Sequence, residues 1–356
     1  MKLRTLPRLA AACSMAILVC LPLALAAAEA GRDEIVFTSN RSGGLFQLYR
    51  MRPDGTQAHR LTQEPLEAGE VSWSPDGSKV LFTASRGRGV DIHVADLISG
   101  DVRRLTRGDV LNSSPVWSPD GRFIAFRSFM DKSAKLYIMK ADGSDLKRLT
   151  ESEEEEAGPA FSPDGKRLAY VVLKHPRMPQ IKVLDLSSGV SRLLSAEPPT
   201  AAEQGPVWSP DGKRLAYTVS KNRSNHIHLM LPDGSDKQAL TSGKGRYNDP
   251  QWSPDGSRLL TLALRDGASR QDIYTIKLDG GHELQRLTDD GAEHLLARWS
   301  ADGQRIFFVK FLAGGGKIFS ADSEGRQVRQ LSPDQSYDTG IAMCCSRPRL
   351  QLAGLK

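Results

Sequence analysis

Carboxylates, amides and one imidazole stand just ahead of a repeated aromatic stretch, and their types and spacing suit chemistry. They are Glu70, Asn112, Glu156, Glu203, Gln204, Asn248, Asp249, Glu293, His294 and Asp338. Every repeat contributes a carboxylate, amide or hydroxyl at about the same place. Gathered into a ring, such groups could take a basic peptide segment, a sugar or a divalent cation. One histidine among them is thin for a metal site, which needs several converging ligands, so no metal ligand set is assigned.

Catalytic signatures are missing from the sequence. It has no Gly-x-Ser-x-Gly elbow, no P-loop, no His-Glu-x-x-His and no calcium loop. Ser74 and Asp76 could suggest a nucleophile and a carboxylate, but the same pair returns in each copy of the repeat. A reagent present in every repeat is a turn. No catalytic residue and no cofactor is expected.

The elements that must position the candidate residues follow from the repeat itself. Trp73 to Gly77 reads Trp-Ser-Pro-Asp-Gly. It returns at Trp117, Phe161, Trp208 and Trp252, and more loosely at Trp299, spaced about 44 to 47 residues apart. Pro presets one backbone angle of a tight turn, Asp or Ser can bond the local backbone, and Gly takes the left-handed position. Between turns lie short β-rich runs such as Phe123 to Phe126 and Lys135 to Met139. Steadily spaced short strands with turn signals between them read as all-β.

A second marker gives an independent register. Leu61-Thr62, Leu105-Thr106, Leu149-Thr150, Leu194-Ser195, Leu240-Thr241, Leu287-Thr288 and Leu331-Ser332 end the repeats, one more than the aromatic stretch provides. The chain starts on a second strand, Glu34 to Thr38, and Gly340 to Met343 falls where the missing first strand belongs. The expectation is a single β-propeller over residues 31–356, with seven four-stranded blades and a ring closed by strands from both termini. Six blades are the alternative. Arg349 to Leu352 would be one strand too many and reads as a tail.

The Trp-Ser-Pro-Asp-Gly stretch, the apolar second strand and the Leu-Thr ending resemble the WD40-like (PD40) repeats of TolB-type periplasmic proteins. The resemblance covers nearly all of residues 31–356. It implies a propeller that binds a protein partner in the cell envelope, such as a peptidoglycan-associated lipoprotein. TolB itself places a separate α/β domain before a six-bladed propeller, whereas here the first strand follows the leader within a few residues. Similar repeats build prolyl-oligopeptidase-like enzymes and oligogalacturonate lyases. The competing expectation is therefore a lyase or lactonase acting on a sugar-derived substrate, with a metal at the channel mouth.

Residues 1–30 read as a signal peptide: Lys2, Arg4 and Arg8, then an apolar Ala-rich run, then small residues around Ala28 and Ala30. Removing them takes the formal charge from +6 to about +4. The remaining Lys and Arg are scattered, which argues against a nucleic-acid track. No later apolar run is long enough to span a bilayer. A periplasmic or secreted monomer binding an envelope protein or peptide segment is expected. Cys344 and Cys345 are adjacent, a poor geometry for pairing with each other.

Within the repeat, His93 and His228 share a column with Tyr49, Tyr137 and Tyr274, as packing residues would. His226 shares one with Asp91, Lys135 and Asp272, which reads as exposed. The loops between second and third strands carry Arg41, Arg86, Arg88, Lys132, Lys174, His175, Arg177, Lys221, Arg223, Arg265 and Arg270. One face is thus expected to show an acidic mouth inside a basic rim.

Overall fold

Both faces of the second and third strands are apolar, so they need a neighbour on each side, and a radial array supplies two. Ile35–Ser39 buries all five of its residues. Val36 packs with Trp73 and Phe82 on one side, while Ile35 and Phe37 pack with Phe307 and Val309 on the other. The core is accordingly spread over the junctions between sheets. Leu81, Ile92 and Val94 meet Trp117, Phe126 and Tyr137 in the same way at the next junction.

The structure, a computed structural model, describes residues 34–63, 66–173, 178–197 and 199–343. The leader, residues 174–177, Cys344, Cys345 and the 349–352 tail lie outside them. All regular structure among the described residues is strand. Blade 1 combines Asp338–Met343 as its inner strand with Ile35–Ser39, Gln47–Met51 and His59–Arg60. The inner strands of blades 2 to 7 are Glu67–Trp73, Asn112–Trp117, Glu156–Phe161, Ala202–Trp208, Gly245–Trp252 and Glu293–Trp299. Each heads an antiparallel run of four strands, and inner strands touch their neighbours in cyclic order back to Asp338–Met343.

The sequence count placed Gly340 to Met343 as the missing inner strand, and that strand pairs antiparallel with Ile35–Ser39, with Ile35 opposite Met343. Blades 5 and 6 merge into one eight-stranded sheet through a single parallel pairing, Asn225 to Arg246. These two belong to the third strand of blade 5, Ser224–Met230, and the inner strand of blade 6.

The repeated turns weld the blades on one face. In the first, Ser74 Oγ bonds Asp76 at 2.6 Å and accepts the Lys79 N–H at 2.9 Å, closing the turn on itself. In blades 3 to 7 the glycine of the turn lies beside the proline of the preceding blade, as Gly165 does beside Pro119. On the outer turns Gly325 sits at φ +78°, and an added Cβ would fall 2.5 Å from the Leu287 carbonyl. Only a residue without a side chain fits there.

Indole N–H groups stitch the inner strands together. Trp73 donates to the Ala342 carbonyl at 3.1 Å, and Trp208 to Ala160 at 3.0 Å. Trp117, Trp252 and Trp299 reach Ser72, Val207 and Gln251 alike. Phe161 and Met343 hold the same position in blades 4 and 1 and have no side-chain N–H to give.

Candidate functional site

All ten candidate residues lie on inner strands, not in the loops that precede them. The pairing register of every inner strand shifts a few residues ahead of its aromatic, or of Met343 in blade 1. Left-handed backbone at Ser114, Asp249 and Leu296, and at Gly158, Gly205 and Gly340, marks these bulges in six of the blades. A bulge adds one residue and breaks the alternation of faces. The residue five places before the aromatic consequently turns into the junction with the preceding blade.

That geometry corrects the expected mouth. Asn112, Glu156, His294 and Asp338 are at most 1% exposed, and Glu203 is 9% exposed. Glu156 accepts the Thr150 hydroxyl at 2.5 Å and the Leu136 N–H at 3.1 Å. Glu203 accepts the Ser195 hydroxyl at 2.7 Å. Asn112 donates to the Val90 carbonyl at 2.8 Å. Asp338 takes the Ser336 hydroxyl and, through both oxygens, the Arg41 guanidinium at 3.1 Å. Arg41 is thereby drawn inward from the expected basic rim. Asn112, Glu156 and Glu203 thus join blades.

The hydroxyl of each Leu-Thr ending belongs to the same device. Thr62, Thr106, Ser195, Thr241, Thr288 and Ser332 each accept a third-strand N–H from their own blade. Several also donate to a buried third-strand group, as Thr106 does to Asp91 and Thr288 to Asp272, both at 3.0 Å. Asp91, Lys135 and Asp272 are buried, and His226 is half-buried, so the column read as exposed is the junction's other half. Outer-strand arginines fold back over it: Arg104 pairs with Asp91 at 2.5 Å and Arg286 with Asp272 at 2.6 Å.

Sequence reasoning missed this column although a signal was present. Aligned repeat by repeat, third-strand and next inner-strand residues are chemically matched: Asp91 with Asn112, Lys135 with Glu156, Asp272 with His294, Lys317 with Asp338. His226 faces Tyr247, ring centroids 6.1 Å apart. Burial pushes the Glu156 carboxyl above the usual carboxylate range, while Thr150, Leu136 and the Lys135 charge pull the other way. The packing reading of His93 and His228 holds, each lying against the ring of a neighbouring Phe82 or Tyr217.

His294 is held through Nδ1, while its buried Nε2 makes no hydrogen bond and lies 3.4 Å from Asp290. Its Nδ1 lies 3.1 Å from the Gln271 carbonyl and 3.6 Å from Asp272. Among the described residues no three His, Cys, Asp or Glu side chains converge as a metal would need. The expected metal at the mouth therefore finds no fitting ligand set in this chain's described residues.

The remaining candidates reach solvent. Glu70 and Gln204 are exposed, and Asn248, Asp249 and Glu293 are half-buried. Glu70 accepts the Ser114 N–H of the next blade. Asp249 pairs with Arg298 at 3.0 Å, and Glu293 holds Gln271 at 2.9 Å. Asn248 accepts from Asn225 at 2.7 Å. Of the basic residues, Arg88, Lys132, Lys221, Arg223, Arg265 and Arg270 are exposed. Exposed Glu151, Glu153 and Glu155 precede the inner strand of blade 4. Charge is thus divided by sector around the face, acidic between blades 3 and 4 and basic across blades 5 and 6.

The profile of the TolB beta propeller domain family (PD40) matches residues 65–205 and 130–342, which together span well over half of the chain. The chain belongs to this family. It is also similar in fold to TolB from Acinetobacter baumannii, at 18% identity and a TM-score of 0.57 over 88% of this chain and 67% of that one. An oligogalacturonate lyase solved with manganese matches at 15% identity and a TM-score of 0.63, over 83% and 84%. Likeness at these identities speaks for the fold alone. An uncharacterised peptidase of Bacillus subtilis, YuxL, is 41% identical over 58 residues, 16% of this chain. The chain matches only 9% of the length of that curated relative. No helix among the described residues is long and apolar enough to cross a membrane.

Proposed function

We propose that this PD40 propeller is a periplasmic or secreted, non-enzymatic scaffold that acts as a monomer and binds an envelope protein partner. The binding face is the one formed by loops entering the inner strands and loops between second and third strands. One observation carries this reading. The opposite face repeats a single set of turn contacts from blade to blade, while exposed charge that differs between blades gathers on the loop face. Specific partners need such individuality, and welded turns do not supply it. Of the predicted site, Glu70, Gln204, Asn248, Asp249 and Glu293 reach solvent on this face, Asp249 already paired with Arg298.

The test is affinity capture from envelope extracts with the full chain as bait. Glu70→Lys with Gln204→Lys and Arg223→Glu with Arg265→Glu sample the loop face, and Lys213→Glu samples a turn on the other. Recovery of a partner that falls with either loop-face variant and survives Lys213→Glu is the expected result. Recovery lost only with Lys213→Glu, or no partner recovered by the unmodified chain, defeats the reading.

A further inference from the structure

Six cations crowd one sector of the loop face: Lys221, Arg223, Lys244, Arg246, Arg265 and Arg270, all exposed. Lys244 has a long ion pair, 3.8 Å from Asp266. The other five form no ion pair among the described residues. Nearby acids are taken elsewhere, Asp249 by Arg298 and Asp290 by Lys310.

The sector is built where blades 5 and 6 share a sheet. Lys221 stands opposite Ser224, Asn225 opposite Arg246, and Gly245 opposite Arg265. Lys221, Arg246 and Arg265 lie on, and Arg223, Lys244 and Arg270 in the turns beside, adjacent strands that span roughly 15 Å at the usual strand spacing. Arg223 occupies a left-handed position, φ +66°, after Asn222 at +51°. A hairpin turn of this shape favours Asn-Gly. Blade 7 has Gly314 at φ +96° in its corresponding turn, whereas blade 5 places a guanidinium there.

We propose that this sector is a docking surface for a carboxylate-rich peptide segment of the partner protein. The proposal rests on the partner-binding reading above and gives that partner a chemistry opposite to the basic peptide an acidic mouth would choose. Arginine forks fit carboxylates two oxygens at a time, and four of the six cations are arginines. The sector exposes no large apolar side chain to enter a bilayer, and Tyr247 is buried at 4%, so no aromatic ring is offered for a sugar to stack on. An acidic chain needs neither.

Fluorescence anisotropy with a labelled octaglutamate peptide tests this. The full chain should bind the peptide, more weakly as salt rises, and the triple variant Arg223→Glu, Arg246→Glu, Arg265→Glu should weaken binding at least about tenfold. The control variant Glu151→Lys with Glu153→Lys, in the acidic sector, should not weaken it. Peptide binding indifferent to the triple variant overturns the proposal, as does tighter binding of an oligogalacturonate of equal charge. Circular dichroism and thermal melting of the triple variant separate lost binding from lost fold. Capture of a partner from extract that survives the triple variant sinks this inference and leaves the scaffold reading intact. Peptide binding that depends on the sector, with no partner captured at all, does the reverse.

Discussion

Two junctions of the ring differ from the other five, and they differ from each other. Where blade 4 meets blade 3 and where blade 1 meets blade 7, Phe161 and Met343 replace the tryptophan that would bond across. Those same junctions carry a buried lysine opposite a buried acid, Lys135 with Glu156 and Lys317 with Asp338. At the five indole junctions the paired columns hold no lysine. A fixed position in the repeat is therefore filled by one of two kinds of polar link. Within the lysine pair, Lys135 Nζ bonds the Ser152 and Glu154 carbonyls at 2.8 and 2.5 Å. Lys317 Nζ is buried with no hydrogen-bond partner, because Arg41 and Ser336 already hold Asp338. Identical chemistry in one column yields a hydrogen-bonded amine in one place and an amine without a partner in the other.

The sharpest way to break this comparison is to remove both lysines in turn. Lys135→Met leaves the Ser152 and Glu154 carbonyls without their donor and removes the charge beside Glu156, and should destabilise the fold by about 2 to 3 kcal/mol in urea unfolding. Lys317→Met removes an amine with nothing to bond and should be neutral or stabilising, up to about 1 kcal/mol. Equal losses would show that the two junctions are alike after all.

The indole links come next in size. Trp208→Phe leaves the Ala160 carbonyl without its donor at a buried junction and should cost about 1 to 2 kcal/mol. The same readout on Glu70→Gln or Gln204→Ala, on the exposed part of the inner strands, should move by less than about 0.5 kcal/mol.

The smallest effect is one of pH. The folded-state pKa of Glu156 is raised, so protonation favours the fold. Its contribution is most favourable at low pH and is lost as pH rises through the unfolded and then the folded pKa. The turn aspartates act oppositely: although burial raises Asp76, bonds from Ser74 and Ser78 leave its pKa lowered. Their stabilisation is lost as pH falls below the unfolded value. Subtracting the profile of Glu156→Gln from that of the unmodified chain cancels the aspartates. The difference should show the unmodified chain losing stability relative to the variant as pH rises from 4 toward neutrality; a flat difference contradicts the burial effect.

The propeller was legible because its markers are local: a turn sequence, an apolar strand and a Leu-Thr ending each report themselves without knowledge of neighbours. The closing strand was legible from their unequal counts. The orientation of Glu156 or Asp338 was not, since a bulge of one residue decides whether a side chain meets solvent or the adjoining blade. Asp91 and Lys135 were misread for a related reason. A charged residue on a third strand looks exposed until the next blade's inner strand supplies its partner, and that partner is about 20 residues away in sequence.

The pairing of Ile35 with Met343 also sets an order of events. On a chain made or exported from its beginning, the hairpin of Ile35–Ser39 and Gln47–Met51 exists long before residues 338–343 do. It waits with one edge unpaired while every other blade can be completed from contiguous sequence. Closure is the contact of greatest sequence separation, and such contacts form slowly because the chain entropy is lost before they stabilise anything. Until then the waiting hairpin presents an open strand edge on which another chain could pair.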